Sequence, residues 1–435
     1  MKLYSFFSFL AYFTFCIWGQ KTLAQPTQAP LGEAALTQVK EYTSIEDALK
    51  EKDPLKVYRL DLSRKNLTQL PSELFQFRNL QILICSRNQL TTLPPEIGKL
   101  SNLGWLILDN NKLVALPTEI SKLTYLNTLI CSNNKITSLP AEIGKLSNLN
   151  GIDCSYNQLT SLPTEIGRLV NLEVLDCSNN QLSVLPTEIS QLVKLVFLQL
   201  SKNKLSALPE WVGKLTNLKK LECANNKLST LPNGIGKLIN LEWFDCSYNL
   251  LNILLKDIEN CTKLTLLNFG NNQITALPAG ISKLVNLGFL VCAGNNLSVL
   301  PPEIGKLTNL TILNCSDNQL TALPAEIGKL TNLTNLDCSE NQLKTLPSEI
   351  GKLMNLKDLR CYKNGLTSLP TEIGKITKLE YLDVSNNQLT ALPAEIGNLS
   401  KLESFHCYYN EFSESEKERI KKVLPKAKIE RKTGW

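Results

Sequence analysis

One asparagine recurs every 23 residues from Asn88 through Asn111, Asn134 and Asn157 to Asn410, with no insertion or deletion anywhere in the series. A fixed step of that length marks a stacked repeat, in which each unit is one supersecondary element that cannot bury its own apolar edge and leans on its neighbours. One step back from Asn88 lands on Lys65, inside an otherwise matching unit from Leu60 to Pro71, which makes sixteen units. A chain of 435 residues would ordinarily hold two or three domains. No linker or shift in composition divides this one after about residue 55, so a single elongated domain fits better.

One unit carries Leu172, Leu175, Cys177, Asn180, Leu182, Leu185, Pro186, Ile189 and Leu192. Its first half alternates with period two, which argues a short strand with Leu175 and Cys177 facing inward. Its second half, Pro186 to Leu192, has apolar residues three apart, which argues one or two helical or 3-10 turns. Proline at the start of the turn suits a position whose N–H would be unpaired anyway. Stacking puts the strands in a parallel sheet at about 4.8 Å per coil, roughly 70 to 75 Å for the whole array. Strands pack closer than helical turns, so the sheet lines the concave side. The asparagine amide has donors and an acceptor to satisfy backbone groups of neighbouring coils, a structural role.

The pattern L-x-x-L-x-C/L-x-x-N-x-L-x-x-L-P-x-E-I-G-K-L, over about residues 57–412, resembles the typical 23-residue leucine-rich repeat, in the Ras-group-like form of bacterial secreted and surface proteins. The resemblance implies an α/β solenoid, a curved right-handed horseshoe with a parallel concave sheet and short helices or 3-10 turns outside. It implies protein–protein interaction only in general.

The ends differ from the array. Lys2, an apolar stretch from Leu3 to Trp18 and Thr22-Leu23-Ala24 suggest a signal peptide over residues 1–24, cut so that Gln25 leads. An uncleaved anchor and lipidation at Cys16 are the alternatives, though Phe13 and Phe15 fit a lipobox badly. Residues 25–56 are expected to be an unstructured lead-in followed by a short helix capped by Ser44. Residues 413–435 are expected to form an amphipathic helix, stopped by Pro425, and a mildly basic tail, so that both ends act as caps.

Chemistry is thin. Lys plus Arg is 46 against 40 Asp plus Glu, a formal charge of +6 with no long run of either sign, too mild to suggest nucleic acid. No metal-ligand spacing or phosphate loop occurs, and no cofactor is expected. The one histidine, His406, has no partner identifiable from spacing. Carboxylate pairs such as Asp153 and Asp176 are expected on a shallow face that does not desolvate them, and the chain is read as non-enzymatic. Eleven of the 13 cysteines share one inward strand position, where they are expected as free, buried thiols. Glutamates and bases three apart on the convex side, as in Glu165 with Arg168 and Glu326 with Lys329, are expected to pair weakly.

Ligand contacts should sit at the outward strand positions, four and six residues before the asparagine. Ile82, Ile84, Trp105, Ile107 and Ile130 make an apolar patch on consecutive coils. Phe197, Trp243, Phe289 and Tyr381 are aromatics interleaved with Asp153, Asp176, Glu222, Asp245, Asp337 and Asp383, as in binding hot spots. An acidic concave face predicts a protein ligand with a basic patch. An exported scaffold or adhesin, secreted, periplasmic or at the cell surface, with no membrane span once the signal is removed, is the favoured reading. An intracellular signalling scaffold and a glycan-binding solenoid are the alternatives.

Overall fold

The structure is a computed structural model, described here for residues 30–430; the signal-peptide reading and Cys16 lie outside the described residues. A single sheet of 18 parallel strands runs through it in chain order. Within the repeats each strand is three residues long, from Arg59–Asp61 to Ser404–His406, and each pairs in register with the strand one coil on. The convex side is a row of five-residue 3-10 turns, from Ser72–Gln76 to Ala394–Asn398. Proline precedes nearly all of them. Pro186 is typical, with φ −65° and a carbonyl that accepts from Ile189 N–H at 3.3 Å.

The inward residues form one continuous core: Leu172, Leu175, Cys177, Leu182, Ile189 and Leu192 are all fully buried. Burying one such leucine contributes about 1.5–3 kcal/mol, and the array repeats the set at every coil. The ladder asparagine closes the strand. In Asn180 the amide N–H groups donate to the carbonyls of Cys154 and Cys177 at 3.0 and 3.1 Å, while Oδ1 accepts from Leu159 N–H at 2.9 Å. One side chain thus satisfies backbone groups on two coils. The residue before it, or before Lys65 in the first coil, takes a left-handed conformation in every coil, including Arg64, Arg87, Asn110, Tyr156 and Tyr248.

Close stacking explains the glycine of the I-G-K segment. A Cβ on Gly144 would stand 2.5 Å from the carbonyl oxygen of Glu165 in the next coil. The expected convex pairs are a correction: neither Glu165–Arg168 nor Glu326–Lys329 closes to ion-pair distance, and Glu372–Lys375 reaches only 3.9 Å. At Glu165 the Thr164 hydroxyl donates to the carboxylate at 3.2 Å and draws it away from the base.

Both ends carry more structure than the sequence suggests. A one-turn helix, α1 (Glu33–Leu36), interrupts the stretch expected to be unstructured, and the Leu36 carbonyl accepts from Arg59 at 3.4 Å. The edge strand β1 (Glu41–Tyr42) pairs with Arg59–Leu60, and α2 (Ile45–Ala48) follows with the Ser44 hydroxyl accepting from Asp47 N–H. At the other end α3 (Glu414–Val423) is capped by Ser413 and buries Ile420. Beyond it β18 (Lys428–Glu430) adds a strand beside Ser404–His406, in a stretch expected only as a basic tail.

Candidate binding face

Each three-residue strand points its middle side chain inward and its two outer ones at the concave face. Register brings the N-terminal patch together, with Ile82 beside Trp105 and Ile84, Ile107 and Ile130 in one row across three strands. The next strands are closed. Thr128 is fully buried and Gly151 and Val174 are buried, so the outer column sinks where it passes Asp153 and Asp176.

Those two aspartates overturn the expectation of a face too shallow to desolvate them. They are 8% and 9% exposed and lie directly opposite each other on adjacent strands. Burial raises the pKa of Asp153, while burial and then the neighbouring Asp153 charge push Asp176 up to about 8. The same burial lifts Asp337, and it lifts Glu222 against the opposing pull of Lys220, 2.9 Å away.

Most of these carboxylates also have structural work, which the sequence reading missed. The Ser155 N–H and hydroxyl donate to Asp153 at 3.0 and 2.6 Å, and the Ser178 N–H donates to Asp176 at 2.8 Å. Asp245 with Ser247 and Asp383 with Ser385 repeat the arrangement, and Ser339 likewise bonds Asp337. The carboxylate closes an Asx-type turn at the strand end. Its signal was present as Asp-x-Ser at every one of these coils.

The central aromatics stand clear of this. Trp243 is 38% and Phe289 41% exposed, in one row with the half-buried Leu266 and Ile312 on consecutive strands. Phe197 is half-buried two strands before Trp243, and the Lys220 ammonium sits 5.0 Å from the Trp243 ring. At the far end Tyr381 lies under the Arg360 guanidinium at 4.9 Å, itself paired with Asp358 at 2.9 Å.

His406 is a second correction, because partners absent from the spacing appear across the sheet. Its Nδ1 is 3.2 Å from the Tyr381 hydroxyl and 3.6 Å from Asp383, and its Nε2 is 3.1 Å from the Ser404 hydroxyl. Serine, histidine and aspartate therefore meet, but in an order unlike an acyl-transfer site. The Tyr381 hydroxyl is nearer Nδ1 than the aspartate is, and the Ser404 N–H is spent on the Glu380 carbonyl in the strand ladder. The cluster ties the last two repeat strands, Tyr381–Asp383 and Ser404–His406, together. The cysteines from Cys85 to Cys407 are all buried and outside any disulfide among the described residues, with Cys154 and Cys177 sulfurs 3.5 Å apart. Burial raises the thiol pKa at Cys85, Cys131 and Cys292, which keeps them unreactive.

Profiles described as "Leucine-rich repeat region" match residues 152–249, 241–336 and 313–429, and one described as "Leucine rich repeat" matches residues 56–113. The chain belongs to the leucine-rich-repeat family. Among solved structures it is similar to a leucine-rich-repeat protein of Leptospira interrogans, at 36% identity over 90% of this chain and 100% of that one, with a TM-score of 0.74. The plant peptide hormone receptor RGFR1, solved in complex with RGF2, matches at 30% identity over 82% of this chain and 64% of its own length, with a TM-score of 0.71. The functional domain of InlJ from Listeria monocytogenes, which includes a cysteine ladder, matches at 29% identity over 68% and 65%, with a TM-score of 0.56. A comparison with curated protein sequences gives no match. Leucine-rich-repeat proteins act as protein-binding scaffolds, and the fold is typically non-enzymatic. Among the described residues no helix is long and apolar enough to cross a membrane.

Proposed function

We propose that this leucine-rich-repeat chain is an exported, non-enzymatic scaffold or adhesin that holds a protein ligand on its concave sheet. The observation that carries the reading is the row containing Trp243 and Phe289. Large aromatics left exposed on regular strands, beside Leu266 and Ile312, gain most by burial against a partner. RGFR1, a receptor solved with the peptide hormone RGF2 bound, supports the same use of a similar solenoid. A basic patch on the ligand suits the face as well. A cation brought to Asp153 and Asp176 would offset the burial that now holds their pKa values up.

Export rests on residues 1–24 and is read from their composition alone. Residues 25–56 and 413–435 serve in this reading as the two lids of the array. The test is capture from native surroundings with wild type and with a Trp243→Ala/Asp245→Ala/Phe289→Ala variant. A specific partner should be held by the first and lost by the second. A partner retained by the triple variant would rule out this face. A mature chain whose mass still includes Met1 to Ala24 would rule out the cleaved, exported form.

A further inference from the structure

The N-terminal end of the concave face holds a cavity of about 500 Å³ that the central aromatics do not reach. Its floor is the row Ile84, Ile107 and Ile130, three branched apolar side chains on consecutive strands. Its rim is the loop column just beyond the strands, where Arg64 and Arg87 stand on adjacent coils.

The charges in this cavity are not equivalent. The carboxylates already receive donors from the chain itself. Asp61 accepts from Ser63 N–H at 2.8 Å, Asp109 from the Ser86 hydroxyl and the Asn110 amide, and Asp153 from Ser155 twice. Arg64 and Arg87 are exposed, and among the described residues neither guanidinium has a hydrogen bond or an ion pair. Each carries five N–H donors in a planar fork suited to a carboxylate.

Backbone conformation shows how the two arginines can be replaced without disturbing the coil. Arg64 and Arg87 sit at φ 57° and 56°, at a position that is left-handed in every coil and that other coils fill with Asn110 and Asn133 as well as Lys202 and Glu340. Asparagine adopts this conformation more readily than other side chains, so it can stand in for either arginine.

The geometry points to a docking site for a partner segment that carries a carboxylate beside a large apolar side chain. The apolar group lies on the isoleucine floor and the carboxylate meets the arginine pair at the rim. This rests on the concave sheet being the binding face, and it assigns the arginine rim an acidic complement while Asp153, at the far edge of the cavity, and the carboxylates beyond it take a basic one. The carboxylate can belong to Asp or Glu or to a chain end, since the fork recognises either.

The test uses ligand-observed NMR titration of the full chain with acetylated, amidated hexapeptides carrying Leu-Glu, Leu-Gln or Leu-Lys at the centre. A Leu-Gln peptide with a free C-terminal carboxylate separates the two sources. The proposal expects an acidic form, internal or terminal, to bind at least fivefold tighter than the amidated Leu-Gln and Leu-Lys peptides. That advantage should vanish in Arg64→Asn/Arg87→Asn, a change the left-handed backbone accepts, with thermal unfolding unharmed. It should persist in Trp243→Ala/Phe289→Ala. Equal affinities for all peptides, or an acidic preference that survives loss of both arginines, overturns the site. If the peptides fail while the aromatic variant still loses the captured partner, this inference falls and the concave reading stands.

Discussion

The strands around Asp153 and Asp176 and those around Trp243 and Phe289 share one backbone and one register, yet they meet solvent in opposite ways. In the first region both outward columns are sunk: Thr128, Gly151 and Val174 fill one and the aspartate pair the other. In the second the outer column is raised by large side chains and remains open. The repeat therefore decides which way a side chain points, and its neighbours one coil away decide whether water reaches it. A binding face on such a scaffold is drawn by a handful of outward residues laid over a core that does not change.

If the two regions share their framework, removing a ladder asparagine should hurt both equally. Asn157→Ala leaves the N–H of Ile136 without its acceptor and takes one of two asparagine donors from the carbonyls of Cys131 and Cys154, which keep Asn134 and Asn180, and Asn249→Ala does the same to Leu228, Cys223 and Cys246. Each should cost about 2 kcal/mol, since a buried N–H left unpaired costs about 1–3 kcal/mol. Denaturant unfolding measures this. A difference above about 1.5 kcal/mol between the two variants would show that the regions are not framed alike.

Binding should separate them. Trp243→Ala with Phe289→Ala is expected to weaken a captured ligand by about 2–4 kcal/mol, as for hot-spot aromatics. Asp153→Asn, which keeps the turn acceptor, should change binding by less than about 1.5 kcal/mol. Calorimetry on the same ligand compares them, and the reverse order would move the binding centre to the aspartate pair.

Proton linkage is expected in the first region. The fold holds Asp176 protonated up to about 8, whereas an unfolded aspartate titrates near 4. The folded state binds the proton more tightly, so this contribution is full below about pH 4 and is lost as pH rises toward about 8. Asp176→Asn should remove much of that slope and raise stability at pH 8 by about 2 kcal/mol. Asparagine keeps the turn, as Asn314 shows by accepting from the Ser316 N–H and hydroxyl at 3.0 and 2.7 Å. Melting curves from pH 5 to 8.5 decide it. An unchanged slope in the variant would mean that Asp176 is already ionised in the fold.

The framework was legible because it is periodic. Asn180, Leu175, Cys177 and Pro186 recur at fixed steps, and each recurrence reports the same contact. Exposure was not legible, because it depends on residues 23 apart meeting across the sheet. Asp176 loses water to Asp153 and Gln199 on the strands beside it, and His406 finds Tyr381 25 residues away. The ends were harder for another reason. The strand Lys428–Glu430 has no repeat to announce it and forms because Ser404–His406 offers an edge.

The smallest expected effect is at the rim, where both regions carry a tyrosine in the left-handed conformation. Tyr156 and Tyr248 each sit at φ 52° and are each 55% exposed, the first in the coil of Asp153 and the second in the coil of Asp245. Asparagine tolerates that conformation better, so Tyr156→Asn and Tyr248→Asn should each stabilise the chain by about 0.5–1 kcal/mol. Thermal unfolding of the two single variants checks this, and a loss in either would show that the ring makes a packing contact worth more than the strain. Ligand binding then sharpens the contrast. Tyr248 rises from the same coil as Trp243 and Tyr156 from the closed one, so the first substitution should weaken the ligand measurably while the second leaves it unchanged. Equal losses would mean that the ligand spreads along the whole rim, and the division between a closed and an open region would then describe the sheet but not the interface.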